Sequence, residues 1–209
     1  MTEPDNEQEN TLLPPLVTMG NPRLAQPSVA VDLRVVGGAE FQEKLRVLRE
    51  ALVVYRGIGI AAPQIGWFER VFLMLEQREN GEGEVEEELL TWINPEITAS
   101  DGELDWAWEG CLSVPGWRGW ISRPAAVAVR GHNERGEPLS REFTGWSARL
   151  FQHEFDHLDG MLFPYRAADP RHLVTLAELE DRASWPPDWP APGARDAPLG
   201  EVVPDEPGE

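Results

Sequence analysis

Apolar positions recur along the chain with two periods, and the switches between them divide it into elements. In residues 37–55, Phe41, Leu45, Leu48 and Leu52 are spaced by four, three and four. That spacing predicts a helix with one apolar face, packed on a sheet. Residues 57–66 (GIGIAAPQIG) hold three glycines and a proline and are expected to form a loop. Short apolar strands are predicted at 71–75 and 89–93, on either side of an acidic, glycine-containing hairpin loop. A second hairpin follows, with strands at 127–130 and 138–143 around the turn composition Asn133-Glu134-Arg135-Gly136. Thr144 then caps a helix over about 146–158, closed by Gly160. Asp169-Pro170 starts a last helix through about Arg182.

No internal repeat interrupts this order, which predicts an α+β fold with mainly antiparallel sheets packed around a long helix, the one over 146–158. The 209 residues suit one domain with one sizeable core. Residues 1–15 are polar and expected to be loose. One folded domain is expected to span 16–183, and residues 184–209, rich in Pro, Asp and Gly, need not fold.

Charge changes this picture little. The net charge is −19, but most of the excess acid lies in 1–15, 76–88 and 184–209. Acidity gathered in end segments and one loop suits solubility, and it supplies no concentrated Lys/Arg surface for nucleic acid. No apolar run approaches the roughly 20 residues of a membrane span, so no membrane association is expected. Residues 1–15 contain no basic side chain, unlike secretory signals and transit peptides, so a cytoplasmic protein is expected. Lys44 is the one lysine, and with abundant Ala, Gly and Pro it points to a bacterial source of high GC content.

The candidate chemistry begins with His153-Glu154-Phe155-Asp156-His157. Four residues apart on a helix, the two imidazoles stand on one face and can address a single metal ion, with Glu154 able to reach a nearby water. The bland alternative is a helix with two partly exposed histidines. Against it, Leu150, Phe151, Phe155 and Leu158 are apolar, and buried His and Glu demand partners. A catalytic site usually takes a third protein ligand, for which Cys111 in Glu109-Gly110-Cys111-Leu112-Ser113 is the natural donor. A lone cysteine is otherwise a small buried hydrophobe. A closed structural metal site needs four ligands, and His132, in a turn, is a weak candidate for the fourth. Gln64 follows the glycine-rich segment and suits a developing oxyanion, although such segments are often plain turns.

Taken together, three segments resemble the peptide deformylase family, in that family's order. They are Gly57-Ile58-Gly59-Ile60-Ala61-Ala62-Pro63-Gln64, Glu109 to Ser113, and His153 to His157. All three motifs are complete, and weaker likeness runs from about Met19 to Tyr165. The resemblance implies a hydrolase that removes the formyl group from the initiator methionine of new polypeptides. It implies Cys111, His153 and His157 as metal ligands, Glu154 as general acid/base, and Gln64 with the Leu112 amide as donors to the formyl oxygen. Ile58, Gly59, Glu109 and Gly110 are expected to contact substrate, with Arg123 and Asp156 in support. One divalent ion is implied, Fe2+ first, with Zn2+, Ni2+ or Co2+ as substitutes. N-formylmethionyl nascent chains are the expected partners, with the ribosome exit as an expected meeting place.

Two rivals remain: a zinc endopeptidase, which shares His-Glu-x-x-His but takes a downstream third ligand, and a catalytically silent domain that binds peptide N-termini. Trp117 and Trp120 are read as core or stacking residues, or else as narrowing the cleft.

Overall fold

The structure is a computed structural model in which residues 13–79 and 85–199 are described. Helix α1 (Ala39–Val54) leads into strands β1 (Gly59–Ala61), β2 (Val71–Glu79), β3 (Val85–Ser100), β4 (Leu104–Glu109), β5 (Trp117–Pro124), β6 (Ala126–His132) and β7 (Pro138–Thr144). Helices α2 (Gly145–Leu158) and α3 (Phe163–Arg166), strand β8 (Leu173–Thr175) and helix α4 (Leu176–Glu180) complete the order. Two antiparallel sheets result, one of five strands in the order β1-β2-β3-β6-β7 and one of three in the order β4-β5-β8. This is an α+β architecture. Among the described residues no helix is long and apolar enough to cross a membrane.

The helical periods act as the sequence implies. Phe41, Leu45, Leu48 and Leu52 of α1 are buried against Ile60, Val71, Leu73 and Ile93 of the large sheet. Helix α2 drives Phe151 into a second cluster, where its ring meets Trp92 at 5.1 Å and Phe72 at 5.2 Å, both edge to face. Such pairs add to the area they bury. Thr144 takes the N-cap position of α2, but without a side-chain hydrogen bond.

Several boundaries differ from the sequence-based expectation. The first hairpin is longer than 71–75 and 89–93, pairing from Val71 with Ile93 out to Glu79 with Val85. Backbone ladder bonds continue into polar sequence, so the apolar stretch marks only the buried part. The expected loop at 57–66 contains strand β1 and a short 3-10 helix, Ala62–Ile65, ending at Gly66 in the left-handed region with φ 82°. Strands β4 and β5 were not expected at all. Trp106 and Trp108, two apart on β4, were the available signal of a strand.

The last predicted helix is corrected too. Residues 170–182 form a 3-10 turn, β8 and the short α4 in place of one helix. Leu173 and Val174 pair with Gly119 and Arg118 of β5, and tertiary pairing outweighs helix propensity there. Part of the segment from 184 onward is packed in the structure. Trp185, Ala191, Ala197 and Leu199 pack on a cluster of Trp108, Trp120, Val174, Leu179 and Ala194. The tryptophans supply enough apolar surface to order a proline-rich segment that has little regular structure of its own. At the other end Leu13 packs on the first cluster, and the Tyr55 hydroxyl donates to the Pro14 carbonyl at 3.1 Å. Residues 1–12, the tip of the acidic loop and residues 200–209 lie outside the described residues.

Candidate active site

Two elements far apart in the chain bring the chemistry together. On α2, His153 and His157 stand one turn apart, ring centroids 5.3 Å from each other. The turn after β4 carries Cys111, whose Sγ lies 3.2 Å from His157 Nε2. The donor atoms of Cys111, His153 and His157 all fall within 4.8 Å of one another. His132, at the end of β6, is not part of this cluster. A thiol and two imidazoles so close together fit a first-row divalent ion. Three protein donors, rather than four, leave a coordination position for water or substrate. His157 Nδ1 and Glu154 Oε2 are buried without a hydrogen-bond partner.

Glu109 fixes the orientation of the first histidine. Its Oε2 lies 3.0 Å from His153 Nδ1, which leaves Nε2 for the cluster. That is the usual way a carboxylate sets an imidazole's tautomer behind a metal. Arg123 holds Glu109 through two bonds, at 2.6 and 2.8 Å, and reaches Asp156 Oδ2 at 2.8 Å with its third nitrogen. It thereby ties the Cys111 turn to α2. Arg166 closes on Asp156 from outside. Arg149 adds a bond to Glu109 at 2.7 Å and others to the carbonyls of Ile121 and Asp105.

The electrostatics follow from this packing. Burial opposes ionisation of Glu109, yet the Arg123 guanidinium holds its carboxyl well below the usual range. Burial also works against charge on His153, but Cys111 and Glu109 raise its pKa well above normal. His157 is pushed the other way, chiefly by burial and then by His153 beside it. Burial pushes the Glu154 carboxyl up to about 7.

Glu154 and Gln64 face the same space. Gln64 sits in the 3-10 helix after β1, where its Oε1 accepts from the Ala61 N–H at 2.7 Å. That bond turns Nε2 towards Ser113 Oγ at 3.2 Å and Cys111 Sγ at 3.6 Å. Gly59 is required for close approach: a Cβ there would lie 2.4 Å from Glu154 Oε1. The pocket over the cluster is lined by Ile58, Gly59, Gln64, Leu112, His153 and Glu154, with Glu109 and Gly110 also in its wall.

Apart from His132, the residues that the sequence nominated for the site lie at or behind one pocket. Sequence reasoning passed over Arg149, Trp108, Trp146 and Leu199, which also line it. Arg149 was detectable, since it precedes His153 by one helical turn and shares its face. Of the tryptophans, Trp120 is buried and packs against Trp106 and Trp108, while Trp117 is 43 % exposed.

A family profile described as polypeptide deformylase matches residues 13–172. The chain belongs to the polypeptide deformylase family. Peptide deformylase 3 of Streptomyces avermitilis is 36% identical over 200 residues, covering 91% of this chain and 85% of that protein. The peptide deformylase of Thermomicrobium roseum is 37% identical, covering 81% and 94%. Among solved structures, the class I type b peptide deformylase of Acinetobacter baumannii, bound to Met-Ala-Ser, superposes with a TM-score of 0.67. That pair is 31% identical, and the match covers 74% of this chain and 98% of the other. The Synechococcus elongatus peptide deformylase, solved with actinonin, gives a TM-score of 0.64 at 33% identity, covering 75% of this chain and 80% of that one. This chain is therefore a metal-dependent hydrolase that removes the N-formyl group from newly made polypeptides.

Proposed function

We propose that Cys111, His153 and His157 hold one divalent ion and that Glu154, Gln64 and the Leu112 amide carry out formyl hydrolysis beside it. The convergence of the three donor atoms within 4.8 Å carries this reading. When bound, such an ion supplies Lewis-acid chemistry, acidifying water and drawing charge from a carbonyl oxygen. Glu154 takes the proton from the attacking water and returns it to the departing amine. A carboxyl raised to about 7 suits a group that must both accept and donate near neutral pH. Gln64 Nε2 and the Leu112 N–H donate to the oxygen as it gains charge.

Among the described residues, strand β1 lies at the edge of the five-stranded sheet and pairs with β2 alone. Ile58 and Gly59, at the start of that edge, bind the substrate backbone as an added strand. Glu109, held by Arg123 and Arg149, keeps His153 in place, and Arg123 with Asp156 locks the Cys111 turn to α2. The substrate is the formylated initiator methionine of nascent chains, met in the cytoplasm at the ribosome exit. The native ion is Fe2+, and Zn2+, Ni2+ and Co2+ are able to replace it, since Cys and His donors suit several first-row metals.

Formate release tests this directly. Metal-loaded protein handled without oxygen is expected to convert formyl-Met-Ala-Ser into formate and Met-Ala-Ser, and Glu154→Ala is expected to abolish the reaction. Cleavage of an internal peptide bond would instead indicate an endopeptidase. Binding without formate release would indicate a silent peptide-binding domain.

A further inference from the structure

One part of the pocket wall comes from well beyond the three motifs. Leu199 lines it, together with Trp108 and Trp146. The segment that delivers Leu199 is held by specific bonds. Trp108 Nε1 donates to the Ala194 carbonyl at 2.8 Å, and Ala194 is fully buried. Arg195 donates to the Trp185 carbonyl at 3.3 Å, while Arg182 donates to the Arg195 carbonyl at 3.1 Å. Leu199 packs against the same cluster that contains Trp108. Trp108 therefore does two things at once, backing the pocket and anchoring the segment that adds Leu199 to it.

We infer that Leu199 is a specificity-determining residue: it narrows the apolar pocket that receives the side chain of the formylated residue. This rests on the deformylase reading above. The amide nitrogen that bears the formyl group must come close to Glu154 and the Cys111, His153 and His157 cluster. The first side chain branches from the carbon next to that nitrogen, so it must lie in the pocket immediately around those residues. Glu109 and Arg149 are engaged with each other there. Arg118 also lines it and donates to the Trp117 carbonyl at 2.8 Å, and the rest of what a side chain meets there is apolar, from Leu112, Trp108, Trp146, Leu150 and Leu199. A thin, unbranched apolar side chain suits such a space. Shortening Leu199 leaves room for a broader one against the Trp108 indole, and enlarging it takes room away.

The test compares kcat/KM for formyl-Met-Ala-Ser, formyl-Phe-Ala-Ser and formyl-Ala-Ala-Ser in the wild-type chain, Leu199→Ala and Leu199→Trp, all with equal metal content. Pocket changes of this size shift discrimination by roughly 10-fold. Leu199→Ala is expected to raise the Phe-to-Met ratio by that factor. Leu199→Trp is expected to lower the Met-to-Ala ratio by a similar one. Ratios that stay the same in all three proteins would overturn the inference. If the wild-type chain released formate from none of these peptides, the deformylase reading itself would fall, a result distinct from unaltered ratios.

Discussion

A methyl group added at Gly59 would stand 2.4 Å from Glu154 Oε1 and 2.8 Å from its Cδ, so the two residues cannot both keep their places if Gly59 changes. Gly59→Ala is predicted to lower kcat/KM by roughly 100-fold, the usual cost of displacing a reacting group by about 1 Å, while the chain still folds. Steady-state kinetics beside a thermal melt would check it, and near-normal kinetics would show that Glu154 does not need its present position. Glu109 is the second critical point. Glu109→Gln would leave the Arg123 and Arg149 guanidinium groups partly unpaired in a buried site. A loss of about 3–5 kcal/mol in stability is predicted, with metal affinity lower by roughly 10- to 100-fold. Urea unfolding and metal titration would measure the two effects separately. The residues proposed to touch the reacting atoms could be nominated from the sequence because each belongs to a compact motif. Arg149 and Leu199 belong to none, and their contribution exists only once β4, α2 and the C-terminal segment meet.

At the scale of elements, helices α1 and α2 were readable, while the last helix and the small sheet were not. The apolar periods of α1 and α2 survive in the structure because each helix buries one stripe against one sheet. Strands β4, β5 and β8 depend on each other for their pairing, and their sequences mix Trp, Gly and Arg instead of alternating cleanly. Placement of α2 also depends on how it ends. Gly160 adopts φ 74°, and a Cβ there would lie 2.7 Å from the Ala25 carbonyl carbon and 2.8 Å from Gln26 N. The Leu158 carbonyl accepts from Ser28 N at 2.8 Å nearby, so this end of α2 is docked on backbone that has no room to yield. Gly160→Ala is predicted to destabilise by more than roughly 1 kcal/mol. A lower urea midpoint with an unchanged slope would be the sign of it, and an unaltered midpoint would show that the docking is slack.

At the scale of the whole molecule, the proposed centre joins both sheets. Cys111 follows β4 of the small sheet, the two histidines ride on α2 against the large one, and Arg123 of β5 bonds to both sides. The net charge of −19 takes no part in this junction, where buried carboxylates are matched by Arg123, Arg149 and Arg166. A thiolate ligand on ferrous iron exposes Cys111 to oxidation. Activity of the iron-loaded chain is therefore predicted to fall in air, and to fall more slowly after nickel substitution; equal decay of the two forms would count against iron. The central claim is spatial: one sulfur and two imidazole nitrogens around a single ion. X-ray absorption at the metal edge of the loaded chain, compared with Cys111→Ser, tests it most directly. One sulfur and two imidazole scatterers per ion are predicted, with the sulfur signal lost in the variant. An ion bound without sulfur in the wild-type chain would contradict it.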